Sequence, residues 1–148
     1  MVIYRVPETV ENDLNTRKQL DNSKVEEVVQ ALGLSSKPAK IARIGKYNPP
    51  AENQAPKSRP LRVSFETHEE AKDIIDNCQK LKDAPAHIKG YSISFDASTV
   101  ERQHINSLVA EAKEKTKNDP DYVHKVRGPP WQPFIKPIKR KAAPQPAE

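Results

Sequence analysis

Residues 59–81, RPLRVSFETHEEAKDIIDNCQKL, constrain the fold more than any other stretch of the chain. Residues 61–65 alternate apolar and polar side chains, which is typical of a strand with one buried face. Thr67 and Glu70 then form a capping-box pattern, in which each side chain satisfies a free amide at a helix start. Apolar residues follow at helical spacing: Ala71, Ile74, Ile75, Cys78 and Leu81. This strand and helix predict half of a split β-α-β unit.

The rest of the chain supplies the missing elements around this half. Strands are predicted over residues 2–6, 40–46 and 91–95, and a helix over about 23–32 that stops at Gly33. Residues 47–58 contain three prolines and predict a loop between neighbouring strands. The order β-α-β-β-α-β predicts an α+β, ferredoxin-like or RRM-like fold, with a four-stranded antiparallel sheet and two helices on one face. Ser98 and Glu101 cap an added C-terminal helix, and a Pro-rich tail follows.

Strand alternation also predicts which side chains face the helices. The predicted inner face consists of Val2, Tyr4, Val6, Ala42, Ile44, Leu61, Val63, Phe65, Tyr91, Ile93 and Phe95. The predicted outer face consists of Ile3, Arg5, Ile41, Arg43, Arg62, Ser92 and Ser94. This face has no aromatic side chain for base stacking, but Arg5, Arg43 and Arg62 form a candidate arginine platform, because guanidinium groups stack on bases and bind phosphates. The competing interpretations are that these are ordinary solvated side chains, or that the C-terminal helix covers this face.

A chain of 148 residues is long enough for one domain. We therefore expect an RRM-like domain at 1–97, a C-terminal helix at 98–118 and a partly disordered, basic, proline-rich tail at 119–148. The first 122 residues hold 19 basic and 19 acidic side chains, so the net charge of +5 comes from the tail. Such asymmetry favours a polyanionic partner.

The sequence lacks the patterns that are typical of several classes of function. The single cysteine excludes an internal disulfide and a cysteine-based zinc site, and the four histidines lack metal-ligand spacing. The sequence has no P-loop and no nucleotide-binding glycine motif, and its paired carboxylates lie at helix caps and turns. We therefore expect no catalytic residues, no metal and no cofactor. Without a membrane span or a signal peptide, we expect an intracellular protein, cytoplasmic or nuclear, with no membrane partner.

Four segments in order resemble the RRM-like domain in the first-open-reading-frame proteins of LINE-type retrotransposons. They are Ile3–Glu8, Lys40–Gly45, Arg59–Phe65 and Phe95–Arg102, and the similarity extends to about residue 136. The resemblance implies a non-enzymatic chaperone that binds single-stranded RNA and DNA in a ribonucleoprotein. Because Met1 sits at the first strand, we expect the coiled coil that trimerises many members to be absent.

The resemblance implies that Arg43, Arg59, Arg62, Arg102 and Arg5 contact nucleic acid. The charge distribution adds basic residues of the tail, which are Lys125, Arg127, Lys139, Arg140 and Lys141. The alternative function is a protein-interaction module, because residues 130–133 fit the P-x-x-P spacing of ligands for SH3-type domains. Trp131 and Phe134 either belong to that tail or fold back as anchors.

Overall fold

The computed structural model describes residues 1–55 and 57–141. The chain divides into two compact units, Met1–Asp96 and Ala97–Glu148. The strands are β1 (Val2–Tyr4), β2 (Lys40–Arg43), β3 (Leu61–Ser64), β4 (Ser92–Ser94), β5 (Tyr122–Arg127) and β6 (Phe134–Lys139). The helices are α1 (Leu14–Ala31), α2 (His68–Asn77), α3 (Ala86–Lys89) and α4 (Thr99–Asn118), with a 3₁₀ segment at Cys78–Asp83.

The first unit is built on a four-stranded antiparallel sheet in the order β2-β3-β1-β4. An α+β fold with such a sheet is therefore confirmed. Its core joins the sheet to α1, α2 and the 3₁₀ segment, and the largest fully buried side chains are Ile3, Val6, Val25, Val28, Leu32, Leu61, Val63 and Ile74. Predicted core residues of β3 and of both helices lie in this cluster.

The predicted faces of β1 are wrong. Ile3 is paired with Leu61 and Ile93 and is fully buried, so it faces the helices, whereas Val2 and Tyr4 point to the other side. The strand ends at Tyr4 because Arg5 adopts a left-handed backbone conformation with φ of 64°. This turn breaks the alternation, so Val6 also reaches the core.

The predicted faces of β2 are wrong for a different reason. Ile41 and Arg43 pair with Val63 and Leu61 and share their inner face, while Ala42 pairs with Arg62 on the outer face. Sequence alternation placed the small apolar Ala42 inside and the charged Arg43 outside. Arg43 lies inside because it finds a carboxylate there, Asp21 of α1, at 2.6 Å.

Helix α1 begins nine residues before the predicted start at Ser23. Asp13 caps it by accepting a hydrogen bond from the Thr16 amide at 2.7 Å. Its first half lacks an apolar stripe, and the ion pair of Asp21 holds this half against the sheet. The helix ends as expected before Gly33, whose φ is 72°.

The predicted Thr67–Glu70 capping box opens α2. The helix is shorter than predicted, because the chain tightens into the 3₁₀ segment at Cys78 and then forms the single turn α3. Leu81 nevertheless stays buried, as its place in the stripe predicted.

The second unit consists of α4 and an antiparallel hairpin of β5 and β6. The Ser98–Glu101 capping box opens α4 as predicted. The hairpin was not predicted, since its prolines suggested an irregular tail. Among the described residues β6 pairs with β5 alone, so both strands of the hairpin are edge strands, where proline is tolerated, as at Pro137. Residues 142–148 of the predicted disordered tail lie outside the described residues.

The hairpin is joined to α4 through Thr116. Its hydroxyl accepts a hydrogen bond from the His124 amide at 2.8 Å and donates to the Ala112 carbonyl at 2.7 Å. The two elements therefore form one compact unit, where a separate helix and tail were expected.

Candidate nucleic-acid interface

An exposed patch covers one half of the outer face of the four-stranded sheet. Residues directly opposite each other in antiparallel strands share a face, and the observed register brings five exposed residues together. This outer patch consists of Tyr4, Lys40, Ala42, Arg62 and Ser64. Val2 shares the face but is buried, so the accessible part is the half beside β2 and β3.

Tyr4 changes the chemistry expected of this face. The sequence placed its ring in the core, but the structure places it on the outer face, paired with Ser92 and 40% exposed. Arg62 lies opposite Val2, two residues from Tyr4, which is the diagonal position that long side chains can reach. The patch thus combines an aromatic ring for base stacking with a guanidinium for phosphate.

Arg62 is the only arginine of the predicted platform that lies on the outer face of the sheet strands. Its Nε lies 2.6 Å from Asp96 Oδ2, and its side chain is 51% exposed. An incoming phosphate must therefore compete with a carboxylate for this guanidinium. Half-exposed pairs of this kind are weak, at about 0–1 kcal/mol, so the competition costs little.

Arg43 lies inside the unit, and all five of its N–H groups have acceptors. It forms a two-pronged ion pair with Asp21, at 3.0 and 2.6 Å. The remaining donors bind the carbonyls of Val6 at 2.8 Å, Arg59 at 2.7 Å and Pro7 at 3.1 Å. Its side chain is 5% exposed. In this arrangement Arg43 ties α1 and the chain after β1 to the sheet, and it is not presented to a ligand.

Arg59 also binds groups within the first unit. It forms an ion pair with Glu8 and donates to the Gly45 carbonyl at 2.6 Å. Burial alone would raise the pKa of the Glu8 carboxyl, but the hydrogen bonds and charge of Arg59 outweigh burial and hold that pKa below its usual value. The same pairing raises the pKa of Arg59.

The two other arginines implied by the resemblance are exposed, and neither belongs to the outer patch. Arg5 follows β1 in its left-handed conformation. Arg102 lies in the first turns of α4, where its Nε donates to the Ala97 carbonyl at 2.8 Å.

The hairpin presents a second basic surface, on the face opposite to Val126 and Ile135. Lys125 lies directly across from Lys136, and Arg127 directly across from Phe134. All four are exposed, and the Phe134 ring is packed against Gly128. Two lysines directly opposite repel each other, so the pair costs stability in the free protein and favours an anion between them. We name this set the hairpin patch: Lys125, Arg127, Phe134 and Lys136.

Sequence reasoning found Lys125 and Arg127 but missed Phe134 and Lys136 as partners. Residues 134–139, FIKPIK, do not alternate apolar and polar side chains, since the two lysines are three residues apart, so periodicity did not indicate a strand. The prolines around it led to the interpretation of an irregular tail.

The remaining basic residues of the tail have other positions. Lys139 is exposed and opposite Tyr122, and Lys141 is exposed beyond the hairpin. Arg140 donates to the carbonyls of Thr116 at 3.2 Å and Asp119 at 3.4 Å, which places its charge at the C-terminal end of α4. A cation stabilises that end of a helix.

The P-x-x-P stretch forms the turn of the hairpin. The amide of Gln132 donates to the Pro129 carbonyl at 3.0 Å, and Pro130 is buried. Ligands of SH3-type domains are extended polyproline helices, so this turn does not offer such a ligand. Trp131 beside it is about half exposed.

Two further observations concern residues 1–55 and 57–141. None of the helices formed there is long and apolar enough to cross a membrane. In the same residues, no three His, Cys, Asp or Glu side chains cluster in a group that could hold a metal ion.

Comparison with protein-family models, curated proteins and solved structures finds no match to this chain.

Proposed function

We propose that this chain is a non-catalytic module that binds single-stranded nucleic acid, with RNA as the preferred ligand. The observation that carries the proposal is Tyr4 on the outer face of the sheet, beside Arg62. An exposed ring on the first strand next to a basic residue of the third is how RRM-type sheets stack bases and hold the backbone.

The strand order supports a ferredoxin-like, RRM-like plan for the first unit. The chain runs β1-α1-β2-β3-α2-β4, with the 3₁₀ segment and the single turn α3 between α2 and β4, and β1 and β3 occupy the centre of the sheet. Together with the four sequence segments quoted above, this order supports the interpretation that the chain derives from the nucleic-acid chaperone of a LINE-type retrotransposon.

In the proposed mechanism one base stacks on Tyr4 while Arg62 leaves Asp96 for the adjoining phosphate. Lys40 and Ser64, paired across β2 and β3, contact the next phosphate or sugar. The hairpin patch binds another part of the strand, with a base on Phe134 and a phosphate between Lys125 and Lys136. Stacking tolerates any base, so binding is weakly selective for sequence and strongly dependent on salt.

The test is a fluorescence-anisotropy titration of short single-stranded RNA at several KCl concentrations. We expect log K to fall linearly with log salt, with a slope of about 0.7 per phosphate neutralised. Lys125→Gln with Lys136→Gln should reduce that slope by about 0.7, because the two lysines neutralise the same phosphate. The matched control is Lys82→Gln with Lys113→Gln, which removes the same charge from exposed positions outside both patches. Absence of binding at low salt would refute the proposal.

A further inference from the structure

A cleft of about 220 Å³ lies in the first unit between α1 and β2, and of the outer patch only Ala42 lines it. Its walls include Arg17 and Lys18 of α1, Ile41 and Arg43 of β2, and Arg59. This volume is more than about ten times the ~10–15 Å³ that a single water needs. It can therefore hold a small polyatomic ion with part of its hydration shell.

The charges around the cleft do not cancel. Arg43 is neutralised by Asp21, and Arg59 by Glu8, both through side chains at the cleft. Arg17 and Lys18 also line it, and none of the ion pairs found among the described residues involves either of them. The cleft thus carries an excess of two positive charges.

Arg17 is the distinctive group of this cleft. Its guanidinium lies over the Tyr47 ring, 3.9 Å from the ring centre, and the Arg59 guanidinium is 5.5 Å from the same ring. The Nε and Nη1 atoms of Arg17 are buried and have no hydrogen-bond partner among the described residues. Arg43, on the opposite wall, has an acceptor for every N–H group.

Buried donors without acceptors are costly, and more so when they carry charge. A ligand that brings acceptors to Arg17 removes that cost, and a negative ligand also balances the charge of Lys18. A tetrahedral oxyanion suits a guanidinium, whose planar array of N–H donors binds phosphate in two-pronged fashion.

We propose that this cleft is a phosphate-binding site formed by Arg17 and Lys18, with Tyr47 as the platform that orients the guanidinium. Arg17 turns on the ring to present its edge to the anion, which preserves the cation–π contact. The ligand is a phosphate group, either of a nucleic-acid strand or of a free phosphate compound. Arg17 and Lys18 are not part of the outer patch, and the site does not depend on the function proposed above.

The test is an NMR titration with inorganic phosphate at constant ionic strength, balanced with chloride, that follows the Nε–H signal of Arg17 and the ring signals of Tyr47. We expect saturable shifts, and we expect Arg17→Gln to weaken phosphate binding about tenfold or more. Lys18→Gln should weaken it severalfold and cannot disturb the core, because Lys18 is exposed. Lys82→Gln is the charge-matched control and should leave binding unchanged.

Shifts that are linear and equal in phosphate and chloride would overturn the proposal, as would saturation that survives both Arg17→Gln and Lys18→Gln. Competition between inorganic phosphate and single-stranded RNA identifies the source of the phosphate. If inorganic phosphate displaces single-stranded RNA from the wild-type protein but not from Lys18→Gln, the occupant is a phosphate of the strand. If saturating phosphate leaves RNA binding unchanged, the site is present and serves a free phosphate compound.

Discussion

Replacing Arg43 with methionine should destabilise the first unit far more than replacing any exposed arginine. Methionine keeps the apolar stem of the side chain but removes five hydrogen bonds. It leaves the Asp21 carboxylate, 11% exposed, without its cation. Breaking one side of a buried ion pair costs about 3–5 kcal/mol, because the remaining charge stays buried. Total stabilities of small domains are about 5–15 kcal/mol, so this loss is large.

The assay is native-state hydrogen exchange, read at the Val63 amide. This amide donates to the Met1 carbonyl at 2.9 Å in the centre of the sheet, so its exchange reports unfolding of the first unit without interference from the second. We expect the free energy of exchange to fall by about 3 kcal/mol or more in Arg43→Met. In Arg62→Met, whose pair with Asp96 is half exposed, we expect a fall below about 1 kcal/mol.

A double-mutant cycle separates the ion pair from the loss of packing. Arg43→Met combined with Asp21→Leu removes both charges, so the double variant should be more stable than Arg43→Met alone. If Arg43→Met costs less than about 1 kcal/mol, or if the two substitutions are additive, the reasoning about a buried and saturated guanidinium is refuted.

Three other predictions follow from single contacts. The pKa of Glu8 is lowered in the folded state, so its pairing with Arg59 stabilises the fold at pH values above the ordinary pKa of 4.5. This stabilisation is lost as the pH falls through the folded pKa. In acid unfolding followed by circular dichroism, Glu8→Gln should therefore reduce the dependence of stability on pH in that range. Asp96→Asn should free Arg62 and increase the affinity for RNA measured by anisotropy. The increase should be larger than for Asp73→Asn, which removes the same charge at an exposed site on α2. Equal effects of the two substitutions would contradict the pairing of Arg62 with Asp96. Gly128→Ala should unfold or distort the hairpin, since a Cβ there would lie 2.6 Å from a backbone oxygen at a φ of 92°, and an unchanged Phe134 ring signal in NMR would contradict this.

The sequence predicted those parts of the fold that depend on local chemistry. The two capping boxes, at Thr67 and Ser98, start helices where the pattern placed them, because the paired side chains satisfy amides only three residues away. The stop of α1 at Gly33 depends on the left-handed conformation that glycine adopts without strain. In β3 apolar and polar residues alternate without exception, so its inner face was also predicted.

The faces of β1 and β2 could not be predicted in the same way. Val2, Ile3 and Tyr4 are all apolar or aromatic, so alternation did not distinguish the two registers, and the turn at Arg5 carries no clear signal. Arg43 looked like a surface residue because its partner, Asp21, is 22 residues away on a helix whose first half has no apolar stripe. The candidate site changed accordingly, from a platform of three arginines to one arginine beside Tyr4.

The most direct test of the proposed function is single-stranded RNA binding by Tyr4→Leu, measured by anisotropy over a range of salt concentrations. Stacking of one base on an aromatic ring contributes about 1–3 kcal/mol, and leucine leaves the charge of the outer patch unchanged. We expect a loss of about tenfold in affinity with the same salt slope, because no phosphate contact is removed. Tyr4→Phe should bind like the wild type. Unchanged affinity in Tyr4→Leu would contradict the claim that the outer face of the sheet binds nucleic acid.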